Sequence, residues 1–176
     1  LFKGDGNEVI ERYILPEMGK IWAAENRLQK WLDIEILACE GWAELGQVPP
    51  EAVAEIKARA RFDVNRIAEI EAVTRHDVLA FLTCVAEYVG DPSKYIHLGL
   101  TSSDILDTGL ALQLREATDL ILGKLDQLKA ILARRAGEHK DTLMVGRTHG
   151  IHAEPVTFGL KLALWYTETE RNIQRL

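Results

Sequence analysis

Apolar positions recur at steps of three and four over most of this chain, and the recurrence breaks at a few short polar junctions. The strongest early stripe runs from about Ala23 to Leu45. Leu28, Trp31, Leu32, Glu35, Cys39, Trp42 and Leu45 fall on one face, and Ile34, Ile36 and Leu37 widen it. Gly46 and the pair Pro49-Pro50 end that helix. A second helix is predicted from about Pro50 to Ala60. Asp63 then caps a third, whose Val64, Ile67, Ile70 and Val73 share a face. Thr74 to Asp77 loosely fits the pattern in which a hydroxyl residue, and an acid three places on, close a helix start. It opens a helix from Val78 to Val89 that stops at Gly90-Asp-Pro92, with His76 in the first turn.

The longest pattern runs from about Ser103 to His139. Leu106, Leu110, Leu114, Ala117, Ile121, Leu125, Leu128 and Leu132 form a heptad-like stripe, and Ile105, Leu112, Leu120, Leu122 and Ile131 add a second apolar surface. About 36 residues of helix would reach about 54 Å at 1.5 Å per residue. Such a helix needs several partners, and a chain of this size supplies few long ones. Oligomerisation or further sequence is therefore expected. A final helix from about Val156, with Phe158, Leu160, Leu162, Leu164 and Trp165, is still running at Leu176, which reads as a truncated chain.

Between these two helices lies Met144 to Pro155, with His149 at its centre. Gly146 and Gly150 bracket Arg147-Thr-His149, and Pro155 closes the segment. A tight polar loop between helices is predicted, since glycine serves sharp turns and proline sits just inside helix starts. At the other end a short helix from Glu8 to Ile14 stops at Pro16. No strand bundle, dinucleotide fingerprint or phosphate loop stands out. The expected fold is all-α: a small helical domain over residues 1–100, then the first part of a long-helix bundle over 101–176.

Composition narrows the function classes. Hydrophobic residues make up 47% and charged residues 27%, ordinary for a soluble globular protein. No run of about 18 apolar residues exists, so no membrane span is expected. Leu1 to Gly6 lacks an apolar signal core and an initiator Met, which suggests a trimmed end. A net charge of −6 disfavours broad binding to nucleic acid or an anionic membrane. Cys39 and Cys84 lie inside helical patterns with no CxxC, so they read as core thiols of a reducing, cytoplasmic compartment. His149 and His152 lack a His-Glu-x-x-His frame, and no zinc site is expected.

Each polar junction carries a chemical reading beside a structural one. Arg12-Tyr13 offers a forked cation and a phenolic hydroxyl to a phosphate or carboxylate, or is a solvated arginine beside a packed tyrosine. His76 lies where backbone N–H groups and the helix dipole favour an anion, or is a surface residue beside a capping Asp77. Thr101, Ser102 and Ser103 make a carboxylate or phosphate site at the start of the longest helix, or only an N-cap. His149 sits on a loop held by helices, a usual place for catalytic groups, or makes a hydrogen-bonded turn.

Taken in order and spacing, Arg12-Tyr13, Thr74-Arg-His-Asp77, Gly99-Leu-Thr-Ser-Ser-Asp104 and Gly146-Arg-Thr-His-Gly-Ile-His-Ala-Glu-Pro155 closely resemble the adenylosuccinate lyase family of the fumarase/aspartase superfamily. The likeness runs from about Glu11 to Leu176 and includes the Pro-Glu-Met and Glu-Ile-Leu-Ala-Cys-Glu stretches. It implies a reversible β-elimination that releases fumarate from adenylosuccinate, leaving AMP, and from the succinyl-carboxamide ribotide of purine synthesis. It further implies that Arg12 and Tyr13 hold the nucleotide phosphate, that Arg75, His76 and Asp77 line the substrate site, and that Thr101 and Ser102 bind the dicarboxylate part. His149 would donate a proton to the leaving nitrogen, with His76 assisting. No metal or organic cofactor is implied, and each site of a homotetramer draws on several subunits.

One departure bears on activity. The family's general base is a serine in a Gly-Ser-Ser-x-Met-Pro-x-Lys-x-Asn run, and that run does not occur in this chain. The chain alone is therefore expected to be inactive. Two rival readings remain. A noncatalytic helical oligomerisation or ligand-binding module explains the heptad stripe but not polar groups at four junctions. A sister enzyme acting on argininosuccinate shares the architecture, but the Arg-Tyr opening and the Arg-His-Asp triplet favour the purine enzyme.

Overall fold

In the computed structural model, which describes residues 11–176, the periodic stretches are helices. A 3-10 turn at Glu11–Tyr13 leads into α1 (Pro16–Trp22), α2 (Ala24–Glu44), α3 (Pro50–Arg59), α4 (Val64–Thr74) and α5 (Asp77–Val89). A second 3-10 turn, Asp91–Tyr95, precedes α6 (Ser102–Glu138). Then come strands β1 (Leu143–Thr148) and β2 (Ile151–Thr157) and the last helix, α7 (Phe158–Arg175). The predicted helix over Glu8–Ile14 falls partly outside the described residues. Pro16, expected only to stop it, sits in the first turn of α1, where a proline's missing N–H costs nothing.

Contacts divide the chain into two compact units, one ending at Glu116 and one running Ala117–Leu176. The core of the first is the stripe read from the sequence. Leu28, Trp31, Leu32 and Cys39 of α2 pack with Ile56 of α3, Ile67 of α4 and Phe81, Cys84 and Val85 of α5. Phe81 is fully buried and meets Trp31 edge-on, with ring centroids 5.6 Å apart. Burying one such side chain contributes about 1.5–3 kcal/mol, so this cluster is what holds α2 to α5 together. In the second unit Leu162 and Thr169 of α7 and Leu132 of α6 are buried. The α6 stripe is largely open: Leu110, Leu114, Ile121 and Leu128 are each at least 40% exposed.

The segment expected as a plain loop around His149 is a β-hairpin. β1 and β2 pair antiparallel with Thr148 opposite Ile151, so His149 and Gly150 are the two-residue turn. Both have positive φ, 48° and 75°, which the tightest hairpin turns require. The register shifts between Val145 and Arg147: Ala153 and Glu154 bulge from β2 opposite Gly146, where a Cβ would lie 2.4 Å from the Glu154 carbonyl oxygen. Pro155 sits within β2, and α7 starts at Phe158, two residues later than predicted, with the Thr157 hydroxyl accepting the Leu160 N–H at 3.2 Å. The hairpin escaped the sequence reading because nearly all of it is exposed, so no alternation of apolar and polar residues marks it.

Candidate active site

Arg12 and Tyr13 form one local unit. The guanidinium lies 4.8 Å from the Tyr13 ring centroid and donates to the phenolic oxygen at 3.4 Å. Both side chains are exposed, so forked cation and hydroxyl face solvent together.

The α4–α5 junction differs in detail from the predicted cap. Arg75 ends α4 in the left-handed region (φ 55°), its N–H returning to the Glu71 carbonyl at 2.9 Å. The N-cap of α5 is His76 itself, not Thr74. Its Nδ1 accepts the Leu79 N–H at 3.3 Å. A ring nitrogen that accepts carries no hydrogen, so the neutral ring bears its proton on Nε2. Nδ1 also lies 3.5 Å from Asp77 Oδ1, a contact that turns attractive only once Nδ1 carries hydrogen and gives up the cap. Asp77 meanwhile accepts the Val78 N–H at 2.8 Å. Arg75, His76 and Asp77 are thus consecutive, exposed and fixed by backbone bonds at one helix entrance.

At the start of α6 the backbone N–H of Thr101 donates to Asp104 Oδ2 at 2.8 Å, and the Asp104 N–H returns to the Thr101 carbonyl. The cap is made by the acid, half of the reciprocal arrangement seen at many helix starts. The hydroxyls of Thr101 and Ser102 make no hydrogen bond to another described residue, which leaves them for a ligand at a helix end that favours anions. No hydrogen bond among the described residues joins the Arg12, His76 and Thr101 groups to one another.

His149, in the second unit, tops the hairpin turn and is exposed. A left-handed backbone at a residue with a side chain is strained and persists only where its surroundings impose it. Here the two paired strands do so. Arg147 and His152 are cross-strand partners below it. Among the described residues no group of three or more His, Cys, Asp and Glu is placed to hold a metal ion.

The sequence reading left out a pair close to the Thr101 junction, Glu35 and His97, the latter four residues before Thr101. Glu35, counted in the apolar stripe of α2, is 1% exposed. Its Oε2 accepts the backbone N–H of His97 at 2.8 Å, and its Oε1 lies 2.6 Å from His97 Nδ1. A carboxylate on the buried face of a helix was the available signal, since such a group needs a partner. The partner's identity was not readable.

Known proteins resemble this chain over nearly its whole length. It is 62% identical over 168 residues to an adenylosuccinate lyase of Synechocystis sp., covering 96% of this chain and 39% of that protein. It is 55% identical over 167 residues to an adenylosuccinate lyase of Bacillus subtilis, covering 95% and 39%. A crystal structure of 3-carboxy-cis,cis-muconate lactonizing enzyme from Pseudomonas putida superposes with a TM-score of 0.88 at 38% identity, covering 96% of this chain and 40% of the other. The chain spans about 39% of the length of the curated relatives it matches. Residues 12–176, with all the junctions described above, match the family model described as Lyase, and the chain belongs to that family.

Proposed function

We propose that this chain is the amino-terminal portion of an adenylosuccinate lyase, which eliminates fumarate from adenylosuccinate to give AMP and from the succinyl-carboxamide ribotide of purine synthesis. The observation that carries the reading is the 62% identity to a lyase of that name across 168 residues that include every polar junction. In this reading residues 1–100 form the first helical domain and 101–176 open the central bundle.

The chemistry needs a base for a weakly acidic C–H beside a carboxylate, an acid for the departing nitrogen, and donors in place for the developing negative charge. His149 is assigned as the acid, and its exposure on a rigid two-residue turn supports this. His76 assists. Its Nε2 is the ring nitrogen left to bond a ligand, because Nδ1 is committed to the cap of α5. Arg75 and Asp77 line the same entrance. Thr101 and Ser102 take the dicarboxylate part with unused hydroxyls at a helix N-terminus. Arg12 and Tyr13 take the phosphate. The family carries its base for the C–H in the Gly-Ser-Ser run, which this chain lacks. The chain alone is therefore inactive.

Open apolar positions on α6, such as Leu110, Leu114 and Ile121, support assembly into the homotetramer of the family. No helix among the described residues is long and apolar enough to cross a membrane, and a purine enzyme belongs in the cytoplasm.

The test is turnover of adenylosuccinate, followed by ultraviolet absorbance, for full-length protein, full-length His149→Gln and this chain. Full-length activity, a loss on the order of 10²-fold or more in His149→Gln and none in the chain are expected. Efficient turnover by the chain, or an indifferent His149→Gln, would refute the assignment of roles. Full-length protein active only on argininosuccinate would refute the substrate.

A further inference from the structure

Helix α2 carries a buried carboxyl that none of the roles above uses. Glu35 sits on the face that also buries Trp31, Leu32 and Cys39, and both of its oxygens are engaged by His97: Oε2 by the backbone N–H at 2.8 Å and Oε1 by Nδ1 at 2.6 Å. His97 has a φ of 67°, left-handed for a residue with a side chain, and such a conformation persists only where its surroundings impose it. Trp42, two turns further along α2, supplies a second tie. Its Nε1 donates to the Leu98 carbonyl at 2.7 Å, and a Cβ on Gly99 would come within 2.9 Å of its ring. Helix α2 therefore grips the turn 97–99 at both ends. Two residues later the chain reaches Thr101 and Ser102.

The pairing also bears on the state of the His97 ring. Against an ionised Glu35, which only accepts, Nδ1 carries the ring hydrogen. Nε2 is then left uncommitted. It bonds no described residue, and the side chain keeps 23% exposure. Burial pushes the Glu35 carboxyl up, while the ring and amide hydrogens of His97 pull it back.

We propose that Glu35 is a positioning residue of the lyase site: it fixes His97 with hydrogen on Nδ1 and holds the left-handed turn that sets Thr101 and Ser102. It acts through His97 and does not touch substrate. The inference rests on the proposed function.

Glu35→Gln separates this from a purely structural pair. The amide keeps the shape of the side chain, its oxygen takes the His97 N–H, and its NH₂ donates to Nδ1. That works only if Nδ1 is bare, so the ring hydrogen moves to Nε2 and packing is retained. Nitrogen-15 histidine spectra of this chain should show hydrogen on Nδ1 of His97 in wild type and on Nε2 alone in Glu35→Gln. In the full-length enzyme Glu35→Gln should lower kcat/KM for adenylosuccinate on the order of 10- to 100-fold with an unchanged melting temperature.

A wild-type ring bearing hydrogen only on Nε2 would overturn the proposal, as would Glu35→Gln kinetics within about twofold of wild type. Inactive wild-type enzyme would overturn the lyase reading instead, and the spectrum would still decide the ring state. Should Glu35→Gln fail to fold, Glu35→Asp replaces it. One methylene shorter, aspartate cannot hold both contacts, so it should lose activity to the same order, and wild-type kinetics there would overturn the proposal.

Discussion

Glycine-to-alanine changes in this chain should differ in sign according to what the new methyl meets, and Gly159→Ala is the sharpest case. Gly159 is the second residue of α7, with an ordinary helical φ, so propensity alone favours alanine by about 1 kcal/mol. The geometry opposes it. An added Cβ would lie 2.6 Å from the Ala136 carbonyl oxygen, 2.7 Å from that of His139 and 2.7 Å from the Lys140 Cα. All three are backbone atoms, so no side chain can swing aside. Ordinary contact begins at 3.4 Å, so the start of α7 must retreat by about 0.8 Å.

That retreat strains the bonds that seat α7: the Gly159 N–H to His139 O at 2.9 Å and the Phe158 N–H to Thr142 O at 2.8 Å. Overpacking of this kind costs about 1–3 kcal/mol, which outweighs the propensity gain. A net loss of about 1 kcal/mol lowers the melting temperature by roughly 2–4 °C at this size. Gly123→Ala and Gly137→Ala, within α6 and with nothing inside 4 Å of the added Cβ, should instead raise it by a similar amount. Thermal melts of the four 176-residue chains by far-ultraviolet circular dichroism give the comparison. A Gly159→Ala chain melting at or above wild type would refute the steric reasoning.

Two further outcomes are expected. Burial, then the nearby charges of Glu35 and Glu40, pushes the Cys39 thiol up to about 11 from its ordinary 9.0. The folded state thus prefers the neutral thiol. Its contribution to stability is complete below pH 9.0 and fades toward about 11, so Cys39→Ala should flatten the alkaline limb of stability measured by urea unfolding, and an unchanged limb would count against it. Asp63→Ala removes the carboxylate that accepts the Arg66 N–H at 2.7 Å at the start of α4, and should cost about 1 kcal/mol in the same assay, where an unmoved midpoint would show the cap to be idle.

What the sequence determined by itself was whatever repeats locally. Leu28, Trp31, Leu32 and Cys39 recur at helical spacing because one face of α2 is buried, and that spacing is visible without knowing what covers it. The polar junctions were legible for the converse reason: they interrupt the period with residues suited to caps, turns and anions. Tertiary structure decided what depends on distant partners or on exposure. The hairpin at 143–157 faces solvent along most of its length, so burial leaves no period-two trace in it. His76 became the N-cap because Arg75 turns left-handed and moves the start of α5 past Thr74. Glu35 kept its place in an apolar stripe because His97, 62 residues away, brings its backbone N–H and a ring nitrogen to it. A buried charge is stable only when such partners arrive, and long-range folding alone can deliver them.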